Sequence, residues 1–277
     1  MIRSFHVELS KLRRWPAVWA LLALWAVLAI AYGYVIQYLA YLSPAKGVTA
    51  AQLQAALAAM LPSGIVGKEV PGYPIFGGVI ALALGALTAG SEYGWGTWTT
   101  VLLQDPDRIR VVAGKLAALF VTVALQVVVG FGFAAISSVV VALLQEQPIV
   151  APALDHLLIG MGGAWLILMA WAALGALLAT LLRSTALPLG IGFAYLLVEV
   201  LATSLAGRSE LIANVARVLP ATNAGSLASS VLPTGSAATG PGMNTLVAGW
   251  LAAVVLTVYV LAASALTCAI TARRDVQ

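Results

Sequence analysis

The sequence predicts an all-α polytopic membrane protein with six transmembrane helices, and three observations carry that reading. Hydrophobic residues make up 62% of the 277-residue chain and charged residues only 9%, too few charges to cover a soluble surface of that size. Apolar runs of about 20 residues, the length that crosses a hydrocarbon core of about 30 Å, recur along the chain. Lys and Arg are shared unequally between the two sets of connections that these runs define. Residues 1–277 are expected to form a single transmembrane domain.

The first element is an interfacial helix over residues 1–15. Ile2, Phe5, Leu9 and Leu12 recur at helical spacing, while Arg3, Glu8, Lys11 and Arg14 take the other faces. Such a basic amphipathic helix is expected to lie in the membrane interface with its cations among lipid headgroups. Trp15 and Pro16 mark the turn into the first span, residues 16–38. The charge-free stretch there continues past Leu42, too long for the core of a signal peptide.

A connection over residues 43–71 follows, in which Thr49 is placed to cap a short helix presenting Leu53 and Leu57 on one face. The second span covers residues 72–90. Residues 91–114 form the next connection and lead into the third span, residues 116–144. The fourth span, 157–182, and the fifth, 186–206, are joined by the tight turn Arg183-Ser184-Thr185. The last long connection, residues 207–242, reads as helical to Leu219, broken at Pro220, helical again from Asn223 to Leu232, then a loop rich in Gly, Pro, Ser and Thr. Its short apolar helices are expected to lie on the membrane surface or dip into it. The sixth span covers residues 244–271.

Six spans put both ends on one side. One set of connections (Arg3, Lys11, Arg13, Arg14, Arg108, Arg110, Lys115, Arg183, Arg273, Arg274) holds ten basic residues, and the other (Lys46, Lys68, Arg208, Arg217) holds four. The positive-inside rule then places both termini in the cytoplasm, as expected of a multi-pass plasma-membrane protein. The net charge of +4 is accounted for by topology rather than by nucleic-acid binding. Small residues line one face of the second span (Ala81, Gly85, Ala89) and of the fourth (Ala172, Ala176, Thr180). Such faces drive helix association in lipid, or else line a pathway.

The connection over residues 91–114 is the most informative stretch. It sets three acids, Glu92, Asp105 and Asp107, against the bases Arg108 and Arg110, with Lys115 just beyond. Gly94 and Gly96 permit a sharp turn after the second span. Thr97 is placed to cap a short helix carrying Trp98, Val101 and Leu102 on one side, Pro106 ends it, and Asp107 begins the third span. An amphipathic helix held between two breaks suits docking in a partner's groove; the alternative is a helix resting on lipid. Glu92, near the membrane and next to the turn, is expected to be buried at such an interface.

An acidic residue at the end of the second span, then Gly-Thr, Leu-Leu, Pro, Arg and a later Lys, here Glu92, Gly96, Thr97, Leu102, Leu103, Pro106, Arg108 and Lys115, resembles the permease subunits of type-2 ABC exporters. Bacitracin-resistance, lantibiotic-immunity and sodium-export permeases share the layout, and the resemblance extends over the whole six-span architecture. It implies that the amino-terminal helix is an elbow helix and that the loop after the second span is a coupling helix docking on a separate ABC ATPase. It implies a second permease copy or paralogue, with ATP and Mg bound on the ATPase and no cofactor on this chain. The chain itself lacks the Gly-x-x-x-x-Gly-Lys-Ser/Thr loop of an ATP-binding subunit. The substrate class left open is a hydrophobic or amphipathic drug, peptide antibiotic or lipid.

Within the spans Glu199 stands out. A charge near mid-bilayer costs about 2.5–3.5 kcal/mol on insertion scales. Glu199 is therefore expected either to reach outward towards Arg208 or Arg217 or to face a substrate pathway. Cys268 lies alone in an apolar run and reads as a packing residue, and His6 and His156 are too far apart in sequence for a metal site. An ion-coupled secondary transporter is the alternative, with Glu199 its one intramembrane support. A membrane enzyme would need a cluster of polar catalytic side chains that the spans do not show.

Overall fold

The computed structural model describes residues 2–97, 103, 107–205, 209–233, 240 and 242–273. Among them there are helices and no strand, and six helical segments are long and apolar enough to cross a membrane.

Helix α1 (Ile2–Arg14) precedes the first span, which is built from α2 (Pro16–Ile30), a π turn at Ala31–Val35, and α3 (Ile36–Leu42). Pro16 opens α2 at a position where a missing N–H costs nothing. Helix α4 (Ala50–Met60) begins at the expected cap: Thr49 and Gln52 form a reciprocal capping box. Helix α5 (Ile65–Glu69) then runs through a 3₁₀ turn and a second π turn, Tyr73–Gly77, into α6 (Gly78–Trp95). The second span thus extends from Pro62 to Trp95, longer than the 72–90 expected, because Lys68 and Glu69 lie within its helical course.

Helix α7 (Arg108–Leu144) also starts earlier than the hydropathy run at Leu116. Asp107 caps it, its Oδ1 accepting from the Arg110 N–H at 3.1 Å. The fourth and fifth spans are α8 (Leu154–Leu182) and α9 (Ala186–Leu205), with Arg183 at φ +51° in the turn between them. Two short helices follow, α10 (Glu210–Ala216) and α11 (Pro220–Ser230), and α12 (Gly249–Arg273) is the sixth span. Pro220 does not merely break the chain; it is the first residue of α11, where a fixed φ favours the helix.

Helices α6 and α8 form the most extensive packed pair. A Cβ on Gly85 would collide with the Ala172 carbonyl, and one on Gly175 with that of Leu82. Ala81, Ala89, Ala172 and Ala176 are buried with them, so these small-residue faces pack backbone against backbone. Buried hydroxyls are satisfied within their own helices: Thr88 donates to the Leu84 carbonyl at 2.7 Å and Thr180 to that of Ala176 at 2.9 Å. At the end of the second π turn the Gly77 carbonyl accepts from Gln126 Nε2 at 3.1 Å. In a medium without water such internal partners are obligatory.

Helix α10 is largely exposed, with Leu211 76% and Val215 54% exposed, but α11 does not rest on the surface. Helix α11 is buried from Pro220 to Ala228, and Tyr259, near the middle of α12, donates to the Val218 carbonyl at 3.0 Å. Helix α11 dips between α9 and α12.

A buried ion cluster at the root of the connection between the second and third spans

Three helix ends meet at one end of the bundle. Helix α1 lies along α7 so closely that a Cβ on Gly114 would stand 2.8 Å from the Ser4 Cβ. Its apolar face, with Phe5, Leu9 and Leu12, packs on the core rather than on lipid alone. Arg13 and Arg14 remain exposed, as expected of an interfacial helix, but Lys11 turns inward.

Glu8 and Lys11 of α1, Ser91 and Glu92 of α6, and Lys115 of α7 form one network. Glu92 accepts from both Lys11 and Lys115. Lys115 also pairs with Glu8 Oε1 at 2.9 Å, and Lys11 with Glu8 Oε2 at 3.5 Å. Lys11 donates to Ser91 Oγ at 3.0 Å, and Ser91 in turn donates to Glu92 Oε2 at 3.1 Å. Glu8, Glu92 and Lys115 are all at most 5% exposed. Two acids and two bases alternate, so the cluster is neutral as a whole. Burying any one of the charges alone would cost several kcal/mol, which mutual pairing offsets.

Aromatic rings close the cluster on the open side. The Trp15 and Trp95 rings stand 5.1 Å apart, and Lys11 Nζ lies 5.6 Å and 6.0 Å from their centroids. A cation at that range gains from the ring faces as well as from the carboxylates. Lys11 thereby joins the start of the first span to the end of the second.

Helix α6 stops immediately beyond. Gly96 adopts φ +62°, the left-handed conformation that glycine enters without steric cost, and the Thr97 N–H returns to the Glu92 carbonyl at 3.0 Å. The sequence-level expectation of a sharp turn is met at Gly96, whereas Gly94 lies within α6. Glu92 therefore serves twice: its carbonyl ends the helix and its carboxylate anchors α1 and α7.

The residues singled out from the sequence fall into two groups. Glu92, Gly96, Thr97, Arg108 and Lys115 gather at the two roots of the connection; Leu103 is helical and 82% exposed. Trp98, Leu102 and Pro106 lie outside the described residues, as does the helix expected around them. Glu92 is buried, as its place next to the turn predicts, and its carboxylate is enclosed by this chain's own lysines. Glu8 and Lys11 were not singled out. Their i, i+3 spacing on the polar side of α1 was the available signal.

Glu199 stands far from this cluster, 1% exposed in α9. Its Oε1 accepts from the Thr222 N–H at 2.7 Å, in the first turn of α11. Arg217 bonds instead to Asn214 Oδ1 at 3.0 Å, and Arg208 lies outside the described residues. Thr203 and Thr222 hydroxyls meet at 3.0 Å, and Asn244 donates to the Thr222 carbonyl at 3.0 Å. The carboxylate thus caps a buried helix start, where backbone N–H groups and the helix dipole favour an anion. A cleft of about 440 Å³ borders this network, lined by Ile75, Val200, Thr203, Ala221, Met243 and Asn244 among others.

Residues 4–199, which take in the ion cluster, the first four spans and most of the fifth, match a family model described as ABC-2 family transporter protein. A comparison with curated proteins finds no match. With that match covering more than half of a chain that carries six membrane-spanning helices, the protein belongs to the ABC-2 transporter family, as a multi-pass ABC permease.

Proposed function

We propose that the chain is the membrane subunit of an ATP-driven exporter. In this reading it pairs with a second permease copy or paralogue, and two separate ATPase subunits hold the ATP and Mg. The end of the bundle carrying α1 faces the cytoplasm, in keeping with the ten basic residues on that side. The membrane is the plasma membrane, and the cargo is a hydrophobic or amphipathic compound such as a drug, a peptide antibiotic or a lipid. Resistance to such compounds is the corresponding biological role.

The observation that carries the reading is the neutral buried cluster at the root of residues 96–107. Force delivered to that connection reaches α6 through Gly96 and α7 through Asp107, and both roots are tied to α1 by Glu92 and Lys115. A two-state pore needs about 5.5 kcal/mol of bias to pass from mostly one state to mostly the other. A connection whose roots moved independently would dissipate that bias. Glu92 and Lys115 act in this scheme as positioning residues, while the segment containing Trp98, Leu102, Leu103 and Pro106 makes the contact with the ATPase.

The test is co-purification of the ATPase followed by substrate-stimulated hydrolysis in reconstituted membranes. Trp98→Ala is expected to weaken docking by about 2 kcal/mol or more, as truncated aromatic anchors do. Asp107→Ala removes an exposed cap and is expected to leave docking intact. Full assembly and normal coupled transport in Trp98→Ala would remove this segment from the docking role.

A further inference from the structure

Glu69 closes α5 and is 3% exposed, buried on the helical course of the second span. Its carboxylate has no ionic partner among the described residues and faces the Tyr73 hydroxyl, and the Nε1 of Trp25, which is 2% exposed, has no hydrogen-bond partner there. The Tyr73 hydroxyl stands beside them and donates to the Val127 carbonyl at 3.4 Å. All three polar atoms converge on Gly130 of α7: a Cβ there would lie 2.5 Å from Glu69 Oε1, 2.6 Å from Tyr73 Oη and 2.7 Å from Trp25 Nε1. Among the described residues no Lys or Arg pairs with the Glu69 carboxylate. An ionised carboxylate buried without a cation is several kcal/mol out of balance, a cost that a positively charged partner offsets.

The space beside Glu69 fits such a partner. A cleft of about 30 Å³ is lined by Trp25, Tyr32, Gly33, Lys68, Glu69 and Phe76 among others. That is room for one water-sized or ammonium-sized group. Three aromatic side chains line it, Trp25, Tyr32 and Phe76: Tyr32 lies 5.3 Å from Phe76, and Tyr73 backs Trp25 edge-on with centroids 4.9 Å apart. Ring faces attract cations. The cleft shares Tyr32, Gly33, Lys68 and Pro71 with a cavity of about 660 Å³ whose other wall is formed by alanines of α4. Lys68, half-buried, stands where the two spaces join. Both π turns border the cleft, Gly33 belonging to the first and Phe76 to the second; π turns recur at functional sites.

We propose that Glu69, Trp25 and Tyr73 form a binding site for the primary ammonium of an amphiphile whose headgroup also bears an anionic group. The ammonium meets the Glu69 carboxylate within the aromatic walls, the anion meets Lys68 at the junction, and the apolar tail follows the alanine-lined cavity. A phospholipid of the surrounding bilayer and a diffusing amphiphile share this headgroup chemistry. The site deepens the export reading by giving its cargo a chemical class, and it rests on that reading only where the ligand is cargo.

The test uses the full-length protein in detergent and two fluorescent single-chain probes with the same tail, one with a phosphoethanolamine head and one with a phosphoglycerol head. The wild type is expected to bind the ethanolamine probe at least tenfold more tightly. Glu69→Gln abolishes that preference, and Trp25→Phe and Lys68→Gln each weaken the ethanolamine probe several-fold. Should Glu69→Gln fail to fold, the other two variants decide. Equal binding of the two heads by the wild type, or a preference unchanged in the variants, overturns the site. Phosphatidylethanolamine retained by the purified wild type in native mass spectrometry identifies a bilayer source. Binding of the single-chain probe by lipid-free protein identifies a diffusing one. ATPase co-purification is scored on the same preparations, so its absence would sink the export reading while leaving the ammonium site standing.

Discussion

Removing Glu92 tests how firmly the ion cluster joins α1, α6 and α7. In Glu92→Gln, Lys115 loses one carboxylate and keeps Glu8 at 2.9 Å, and its side chain is 3% exposed. Breaking a buried pair by deleting one partner costs about 3–5 kcal/mol, and the surviving Glu8 contact places the expected loss near the lower figure. Lys115→Met leaves Glu8 and Glu92 to share Lys11, whose side chain is 25% exposed, and is expected to cost about 3–5 kcal/mol. The double variant removes both partners at once and leaves Glu8 paired with Lys11. It should therefore cost less than the two single losses together, by about 1–3 kcal/mol of coupling. Equilibrium unfolding in mixed micelles of the wild type, the two single variants and the double variant measures this cycle. Additivity to within about 0.5 kcal/mol would mean the two side chains do not interact, and the anchoring role of Glu92 would fall.

Two further outcomes are expected. In a Cys268→Ala background, a cysteine at Lys46 should react with impermeant thiol reagents in intact cells and one at Asp107 should not; the reverse labelling would invert the topology. Glu199→Leu removes the acceptor from the Thr222 N–H and is expected to destabilise the fold by about 1–3 kcal/mol. The same change should raise the thiol reactivity of a cysteine at the buried Ser226, and unaltered reactivity would show that α11 is held without the carboxylate.

The spans were legible because a charge-free run of such length has few other uses. The extra two turns of α7 were not, since Arg108, Arg110 and Lys115 interrupt the hydropathy signal although the helix runs through them. Glu69 was hidden for the same reason: next to Lys68 it reads as loop, and only the packing of Trp25 and Tyr73 draws it inside. Helix α11 carries Thr222, Asn223 and Ser226, which suggests a wet surface. It is buried because Asn244 and Glu199, distant in sequence, bond to Thr222 and Ser226, while Asn223 donates to the nearby Arg217 and Leu219 carbonyls. At the coupling end the key residue types could be read directly, yet the partners of Glu92 could not. A carboxylate flanked by lysines on two other helices looks, in one dimension, like one awaiting an external partner.

The unbroken course of α7 has a mechanical consequence. Its 37 residues make a rod about 55 Å long at 1.5 Å per residue, well beyond the thickness of the hydrocarbon core. Without an internal proline to absorb a bend, a tilt of about 5° at one end sweeps the other through about 5 Å, nearly one helical pitch. Gly130 lies about 33 Å from the Arg108 end and would travel about 3 Å in the same swing. That is enough to draw Gly130 away from Glu69, Tyr73 and Trp25 or to press it against them, so a small rotation at one end of the helix becomes a change of grip far along it.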